Sequence, residues 1–509
     1  MPRERRENRR RGAKTDAPPV PVTPPYIKRR IPYFEMLNDD ELSIIERNAD
    51  TILEEIGIVY GEDPEARDYF LKAGATVEGE LVKFPRGMCR EIIQKTAKAQ
   101  FTQHARNPAK SVEIGGNNMV LVPAYGPPFV YNQDEGRRYA NIDDFRNFVK
   151  LAYMSDNLHH SGGTVCEPVD LPVNKRHFDM VYSHIKYSDK AFMGSVTAAE
   201  RAEDSVSMAK IVFGDEFVDQ NCVLVNLINA NSPMTFDATM LGALKVYARN
   251  NQACMVSPFI IAGAMSPVSA AGVAAQSFAE ALSAMALVQL IRPGAPMIYG
   301  NFVSSMSMQT GAPTFGSPEA AQVMNIGAAL ARRLGVPFRS GGGFTSSKLP
   351  DAQAAYESAD SMHSTMLAGA NFVLHAAGWM EGGLCTGFEK LVMDADRLGG
   401  YQKLGAGLDC SPEALARDAY GEVEPAGHFL GSAHTMRNYQ TAFYEPALSD
   451  SENVESWEDG GAKDMRQRAY ERWTSRLRAY KPPPIDAGVK EELQAYVERR
   501  KSEIPDAWY

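Results

Sequence analysis

The sequence predicts an α/β protein built on a (β/α)8 TIM barrel, with a small helical N-terminal domain and a helical C-terminal tail. Three observations carry that expectation. Between residues 116 and 445, eight short apolar runs, each closed by a Gly, Pro or polar cluster, alternate with eight longer stretches of helical periodicity. An open doubly wound sheet more often has about five to seven strands, and no G-x-G-x-x-G fingerprint joins an early strand to a helix. The 509 residues, 44% hydrophobic and 23% charged, suit one large barrel with appendages.

The elements follow in order. Residues 1–30 carry ten Lys or Arg against three acids, beside Pro18, Pro19, Pro21, Pro24 and Pro25, and read as a disordered basic tail. Residues 31–115 read as a mostly helical cap domain. Its first helix is capped by Asn38 or Asp39, places Leu42, Ile45, Ala49, Ile52 and Ile56 at helical spacing, and stops at Gly57. Helices near 64–73 and 85–99 follow, with a short strand or hairpin near 80–84. Barrel strands are expected at 119–123, 159–165, 191–196, 222–229, 253–257, 296–301, 337–341 and 371–375. Helices are expected near 142–154, 174–184, 198–212, 238–249, 268–291, 318–334, 351–367 and 388–398. The stretch 268–291 has one charge, Glu280, but is rich in Ala and Ser and bracketed by Pro267 and Pro293, so it reads as a buried helix and not a membrane span. Residues 446–509 form the tail, with helices near 462–480 and 487–504 that pack across the barrel or onto another subunit, making a homo-oligomer the expected state.

The net charge of −10 argues against general nucleic-acid binding. Six scattered cysteines with no C-x-x-C pair, and a basic start without an apolar continuation, point to the cytoplasm and to no local zinc or dithiol motif. In a TIM barrel, function sits at the C-terminal ends of the strands. The residues there are aromatic and amide-rich, among them Tyr125, Asn226, Phe259, Tyr299, Asn301, Phe302, Phe344, His375 and Trp379. His159 and His160 are adjacent, so at most one of them faces the barrel interior. No nucleophile elbow, P-loop or H-E-x-x-H occurs, and no expected strand contains a Lys; Lys348, in a loop, is the nearest. Such an inventory suits a cation held by rings: a quaternary ammonium has no N–H to donate and is bound by aromatic faces, while a carboxylate on the same ligand needs donors.

The runs PFIIAGAMSPVSAAG (258–272), RPGAPMIYGN (292–301), GSPEAAQVMNIGAALARRLGVP (316–337), LPDAQAAYESA (349–359) and GFEKLVMDAD (387–396) resemble the trimethylamine methyltransferase superfamily, as does the opening LNDDELSIIERNADTILEEIGI. The resemblance spans residues 36–400 in order. It implies a barrel that passes a methyl group from a methylated amine to the Co(I) of a corrinoid (cobalamin) carried by a separate cognate protein, with no metal on this chain. Founding members carry pyrrolysine in the barrel. This chain has only standard residues, resembling the branch that acts on glycine betaine and related quaternary amines, and 343–351 is the segment where the missing residue is sought. Displacement by Co(I) releases a neutral tertiary amine and needs no general acid, leaving the protein to hold the cation, exclude water and align the reacting atoms.

The roles implied for glycine betaine put Tyr125 in the trimethylammonium pocket and Asn226 and His375 on the carboxylate. Tyr299, Phe344 and Trp379 are further cage rings, and Gly341, Gly342 and Gly343 leave room for the corrin ring. Glu389 and Asp394 read as structural acids. Proline betaine, carnitine and choline fit the same cage. Two other classes remain open: a barrel lyase or decarboxylase, which predicts a buried, perturbed Arg or Asp at the strand ends, with Arg339 the only strand Arg, and a non-catalytic quaternary-amine binding protein.

Overall fold

The computed structural model describes residues 24–508, so the basic run at 1–23 lies outside the described residues. Seven parallel strands form the barrel wall: β1 (Asn118–Pro123), β2 (Phe192–Met193), β3 (Leu224–Ile228), β4 (Ala253–Val256), β5 (Met297–Gly300), β6 (Phe338–Gly341) and β7 (Phe372–Ala377). They pair in sequence from β2 to β7, and β7 pairs with β1 through Phe372 opposite Val120. The expected strand at 159–165 holds its place in the wall without regular strand geometry. His159 N–H donates to Leu121 O (2.9 Å), Ser161 N–H to Ala191 O (2.8 Å), and Met193 N–H to Gly162 O (2.9 Å), which closes the circle.

Imidazoles complete this irregular seam. The Leu121 N–H donates to His159 Nδ1 (3.0 Å), and the Gly162 N–H to His160 Nδ1 (2.9 Å). His184, on a flanking helix, has Nδ1 at 2.7 Å from Ser161 Oγ and Nε2 at 2.7 Å from Gly163 O. Backbone groups that a strand ladder would satisfy are thus satisfied by side chains. Val120, Val122, Met193, Val225, Leu227, Met255, Ile298, Phe372 and Leu374 fill the interior.

Eight helices surround the wall: α1 (Ile142–Tyr153), α2 (Arg176–Tyr187), α3 (Ala199–Phe213), α4 (Ala238–Arg249), α5 (Ala270–Ile291), α6 (Pro318–Leu334), α7 (Ala352–Ala368) and α8 (Phe388–Gly405). The apolar α5 is long enough to cross a membrane, yet it is buried between the barrel and the N-terminal helices Asp39–Thr51 and Met88–Thr96. Its one charge ties the helix to the loop after β3, since Glu280 accepts from Ser232 Oγ (2.6 Å), Met234 N (2.9 Å) and Gln276 Nε2 (3.0 Å).

Two expectations need correction. The mostly helical reading of 31–115, whose last helix ends at 99, leaves out a hairpin at 100–115. Strands Gln100–Gln103 and Val112–Gly115 form an antiparallel hairpin whose Phe101, Val112 and Ile114 plug the bottom of the barrel, while Gln103 Nε2 donates to Phe192 O (2.8 Å) and Val223 O (3.1 Å). The end of the basic tail is ordered as well, since Ile27 pairs with Met119 and is buried. The hairpin pairs locally but is seated by contacts across the chain, and Ile27 pairs with a strand about 90 residues away; local composition records neither.

The tail helices Met465–Ala479 and Ala487–Glu503 pack across their own barrel. Trp473 Nε1 donates to Glu389 Oε1 (3.1 Å), Tyr496 OH to Asp204 Oδ1 (2.7 Å) and Lys501 Nζ to Asp179 Oδ2 (2.5 Å).

Burial holds the seam histidines neutral, pushing His159 down to about 3, His184 down to about 4, and His160 well below the usual imidazole value. The unfolded chain takes up those protons near pH 6.5 and the folded chain does not, so the unfolded state binds more protons through this window. Stability is therefore expected to fall as pH drops below 6.5, by up to about 1.4 kcal/mol per pH unit for each imidazole. Thermal unfolding followed by circular dichroism from pH 7.5 to 5.0 checks this; a flat midpoint across the range would contradict it.

Candidate active site

At the C-terminal end of the barrel, two small sheets rise beyond the wall. The first, Phe259–Ile261 with Phe302–Met306 and Pro313–Thr314, prolongs β4 and β5. The second joins Trp379–Met380, Cys385–Gly387, Phe129–Asn132 and Gly136–Tyr139. Between them sits a cluster of rings contributed by Phe302, Phe315, Phe344, His375 and Trp379. Phe302 lies 5.5 Å from Phe315, 5.4 Å from Phe344, 5.2 Å from His375 and 5.7 Å from Trp379, and His375 is 4.4 Å from Trp379, all between centroids.

His375 reaches the cluster through a backbone irregularity. Strict alternation after the inward-facing Phe372 and Leu374 would send residue 375 outward. Instead its φ of 64° and a shift of register between Val373 and Ala377 carry the ring into the mouth. The Tyr125 N–H donates to His375 Nδ1 (3.2 Å). Burial and then the charge of Arg339 hold the imidazole well below its usual range. Neutral, with Nδ1 accepting, it carries its proton on Nε2.

Arg339, on β6, is the charged member of the site. Its side chain is fully enclosed, with Nη1 donating to Ser257 Oγ (2.9 Å) and Asn301 O (3.3 Å) and Nε lacking an acceptor. Its guanidinium carbon stands 5.2 Å from the centroid of Phe302. Among the described residues no carboxylate pairs with it. Desolvation pushes it down to about 9, and a guanidinium remains charged at neutral pH even so. Trp379 Nε1 is likewise buried without an acceptor. Tyr125 approaches over Gly163, where a Cβ would meet the Tyr125 ring at 2.8 Å; burial raises its phenol to about 12.

Of the residues singled out by sequence, Phe344, His375 and Trp379 are brought together, Tyr125 adjoins them through its N–H to His375 while its ring packs against the barrel interior, and Asn226 and Tyr299 lie elsewhere. Val225 and Leu227 face the interior, so Asn226 points outward, where Oδ1 accepts from Gly194 N (3.2 Å) and Nδ2 donates to Ala253 O (3.1 Å). Tyr299 likewise alternates with inward-facing Ile298 and packs between Phe278 and Phe338 in the helix layer. The three glycines open no space for a planar cofactor. A Cβ on Gly341 would collide with the Phe344 ring, one on Gly342 with Met362 and Val373, and one on Gly343 with the backbone of Ala376. They make room for Phe344 and for close packing of the 341–344 turn.

That turn is fastened from α7. Thr365 Oγ1 donates to Gly341 O (2.6 Å), Ser358 Oγ to Gly343 O (3.1 Å), and Ser361 Oγ accepts from Phe344 N (3.2 Å). Behind Phe302 and Phe344, a cavity of about 440 Å³ runs between α6 and α7. Glu389 and Asp394 are tied into structure: Gln133 N–H and Trp473 Nε1 donate to Glu389, and Gly378 N–H and Lys390 Nζ to Asp394. Sequence reading missed Phe315, which lies in a loop past an expected strand, and assigned Arg339 only to an alternative chemistry.

The trimethylamine methyltransferase (MTTB) family model matches residues 3–505. The chain is 42% identical to a glycine betaine methyltransferase of Desulfitobacterium hafniense over 478 residues, 93% of this chain and 98% of that protein. It is 28% identical to a proline betaine:corrinoid methyltransferase of Eubacterium limosum (93% of this chain, 99% of that one), and 28% identical to a trimethylamine methyltransferase of D. hafniense (92% and 94%). The monomethylamine methyltransferase of Methanosarcina barkeri superposes with a TM-score of 0.48 at 11% identity, covering 89% of this chain and 90% of that one.

Because the space beside Gly341 is filled by Phe344, Gly341→Ala is expected to expel that ring and cost about 1–3 kcal/mol through overpacking. Urea unfolding reads the loss. Altered Trp379 fluorescence should accompany it, while unchanged emission and stability would mean that the ring is not held there.

Proposed function

The chain belongs to the trimethylamine methyltransferase family, and on that premise we propose that it moves a methyl group from a carboxylate-bearing quaternary amine, glycine betaine first, to Co(I) of a corrinoid on a cognate protein. The observation that carries the choice of substrate is the enclosed Arg339 with no carboxylate of its own beside a cluster of rings. Burying an uncompensated guanidinium costs several kcal/mol, which a bound anion offsets. Rings favour a cation and the guanidinium an anion, so a zwitterion satisfies both.

Tyr125, Phe302, Phe344 and Trp379 would face the trimethylammonium group, each ring contributing about 0.5–2 kcal/mol. Arg339, His375 Nε2–H and Trp379 Nε1–H supply donors for the carboxylate. The rings touch one another, so they must part to admit a ligand, and the cavity behind Phe302 and Phe344 is the space into which they move. Co(I) supplies the nucleophile. The chain itself excludes water, surrounds the permanently cationic donor nitrogen with aromatic rings and presents one methyl group toward the barrel mouth, none of which needs proton transfer. That fits a histidine held neutral and a tyrosine held protonated. Arg339, which the sequence tied to a lyase, serves in this reading as the counter-ion of the substrate.

We place the enzyme in the cytoplasm, a reading supported by six unpaired thiols, and assign it a homo-oligomeric state. Anaerobic conversion of cob(I)alamin to methylcobalamin, followed by visible absorption with a panel of glycine betaine, proline betaine, carnitine and choline, tests the reaction. Betaine binding by calorimetry with no transfer, even when the corrinoid protein is supplied, would favour a binding protein instead. Arg339→Met is expected to lower kcat/KM for glycine betaine by about 100-fold or more, from the loss of charge-assisted hydrogen bonds, with choline changed less than about threefold. Equal losses for both would remove Arg339 from the carboxylate.

A further inference from the structure

The five rings of the mouth differ in how firmly their backbones are held, and that difference selects the one that moves. Phe302 lies in a strand whose Phe302, Val303 and Ser304 pair with Phe259, Ile260 and Ile261. Phe344 is fastened from α7, His375 accepts from the Tyr125 N–H, and Trp379 pairs with Thr386. Phe315 instead follows a two-residue strand, Pro313–Thr314, on the return of a hairpin whose tip is residues 307–312. Among the described residues the hydrogen bonds of that tip stay within it, with Ser307 N–H donating to Ala312 O (2.9 Å) and Gly311 N–H to Ser307 O (2.8 Å). Met308, at the tip, is 75% exposed.

Phe315 is nevertheless buried, its ring 5.4 Å from Phe344 and 5.3 Å from Trp379. One hydroxyl ties its backbone down. Phe315 N–H donates to Ser346 Oγ (3.0 Å), and Ser346 Oγ donates to Phe315 O (3.4 Å). Ser346 is placed in turn by Glu357 of α7, whose Oε2 accepts from Ser346 N (2.8 Å) and Thr345 Oγ1 (2.6 Å). Gly316 follows at a φ of 83°, so close to α7 that a Cβ would stand 2.6 Å from Glu357 Cβ. Ser305 Oγ lies 2.8 Å from Ser317 Oγ and joins the two ends of the hairpin, so a swing about the line from Ser305 to Gly316 leaves that contact in place.

We infer that Phe315 is the gate of the site. It fills the place of the substrate in the empty protein and swings out with residues 305–316 to admit a quaternary amine, while Ser346 latches it and Glu357 positions the latch. This deepens the function proposed above and rests on the ring cluster being the substrate site. Rings in mutual contact leave a trimethylammonium group no room, so one of them must go, and the ring released most readily is the one held through a single neutral hydroxyl. Losing such a hydrogen bond shifts an equilibrium by only roughly 2–10-fold.

A fluorine label on Met308→Cys, in a Cys410→Ser background with the other five cysteines buried, reports the position of the hairpin. Fluorine NMR of the ligand-free full chain is expected to show a minor open population that Ser346→Ala raises roughly 2–10-fold. Glu357→Ala is expected to do the same and Glu357→Gln, which keeps an acceptor, to do less. Ser346→Ala combined with Glu357→Ala should add nothing further, because both act through one latch. Additive effects, or a population that no variant moves, would overturn the latch. Glycine betaine is expected to move the label to the open position; betaine binding seen by calorimetry with the label unmoved would overturn the gate. Phe315→Ala supplies the sign: with no ring to displace, it should bind glycine betaine about 3–10-fold more tightly. Weaker binding would make Phe315 a wall of the cage and refute the gate. Failure of every quaternary amine to bind would defeat the substrate reading, and the ligand-free comparison would still decide the latch.

Discussion

The barrel depends on how its wall is closed between β1 and β2. No regular strand fills that place. Three histidines and two glycines do, with imidazole nitrogens standing where peptide groups would pair. A strand there would hold Gly163 and Thr164 in a pleat. The side-chain seam lets Gly163 lie flat under the Tyr125 ring and Gly126 N–H reach Thr164 O at 2.6 Å. The geometry of the mouth, from Tyr125 to His375, is inherited from that closure.

The mouth is assembled from parts that are individually unfavourable and jointly consistent. A non-glycine residue at positive φ, a guanidinium without an anion and an indole N–H without an acceptor all occur within one cluster of rings. Such departures from local rules collect at functional sites and are held by surroundings that over-determine them. Here the surroundings are the two small sheets above the wall, whose strands carry Phe259 and Phe302 on one side and Trp379 on the other.

The architecture was legible in the sequence because β/α alternation is a local pattern. Seven of the eight expected wall strands and all eight helices stand where periodicity put them, with the last helix running seven residues further and 159–165 holding its place without strand geometry. Strand orientation was not legible. Parallel strands are buried on both faces, so the sequence around Asn226 or Tyr299 does not say which parity looks inward. Both were chosen by position along the strand, Asn226 also through the family resemblance, and both face the helices. His375 escaped the same error only because its backbone breaks the alternation. The hairpin at 100–115 was missed for another reason: what places it is the bottom of the barrel, where Gln103 Nε2 reaches Phe192 O and Val223 O, and contacts across the chain leave no trace in local propensity. The glycine triplet carried a real signal, close packing, whose beneficiary was the ring of Phe344, one residue beyond it.

The hydroxyls of Ser358, Ser361 and Thr365 that fasten the 341–344 turn lie a helix away from it in sequence. Anyone who transplants that turn to alter the choice of substrate would be moving only half of a device. Its other half is written in α7, so the exchangeable unit for engineering is the whole β6–α7 module, loop and helix together.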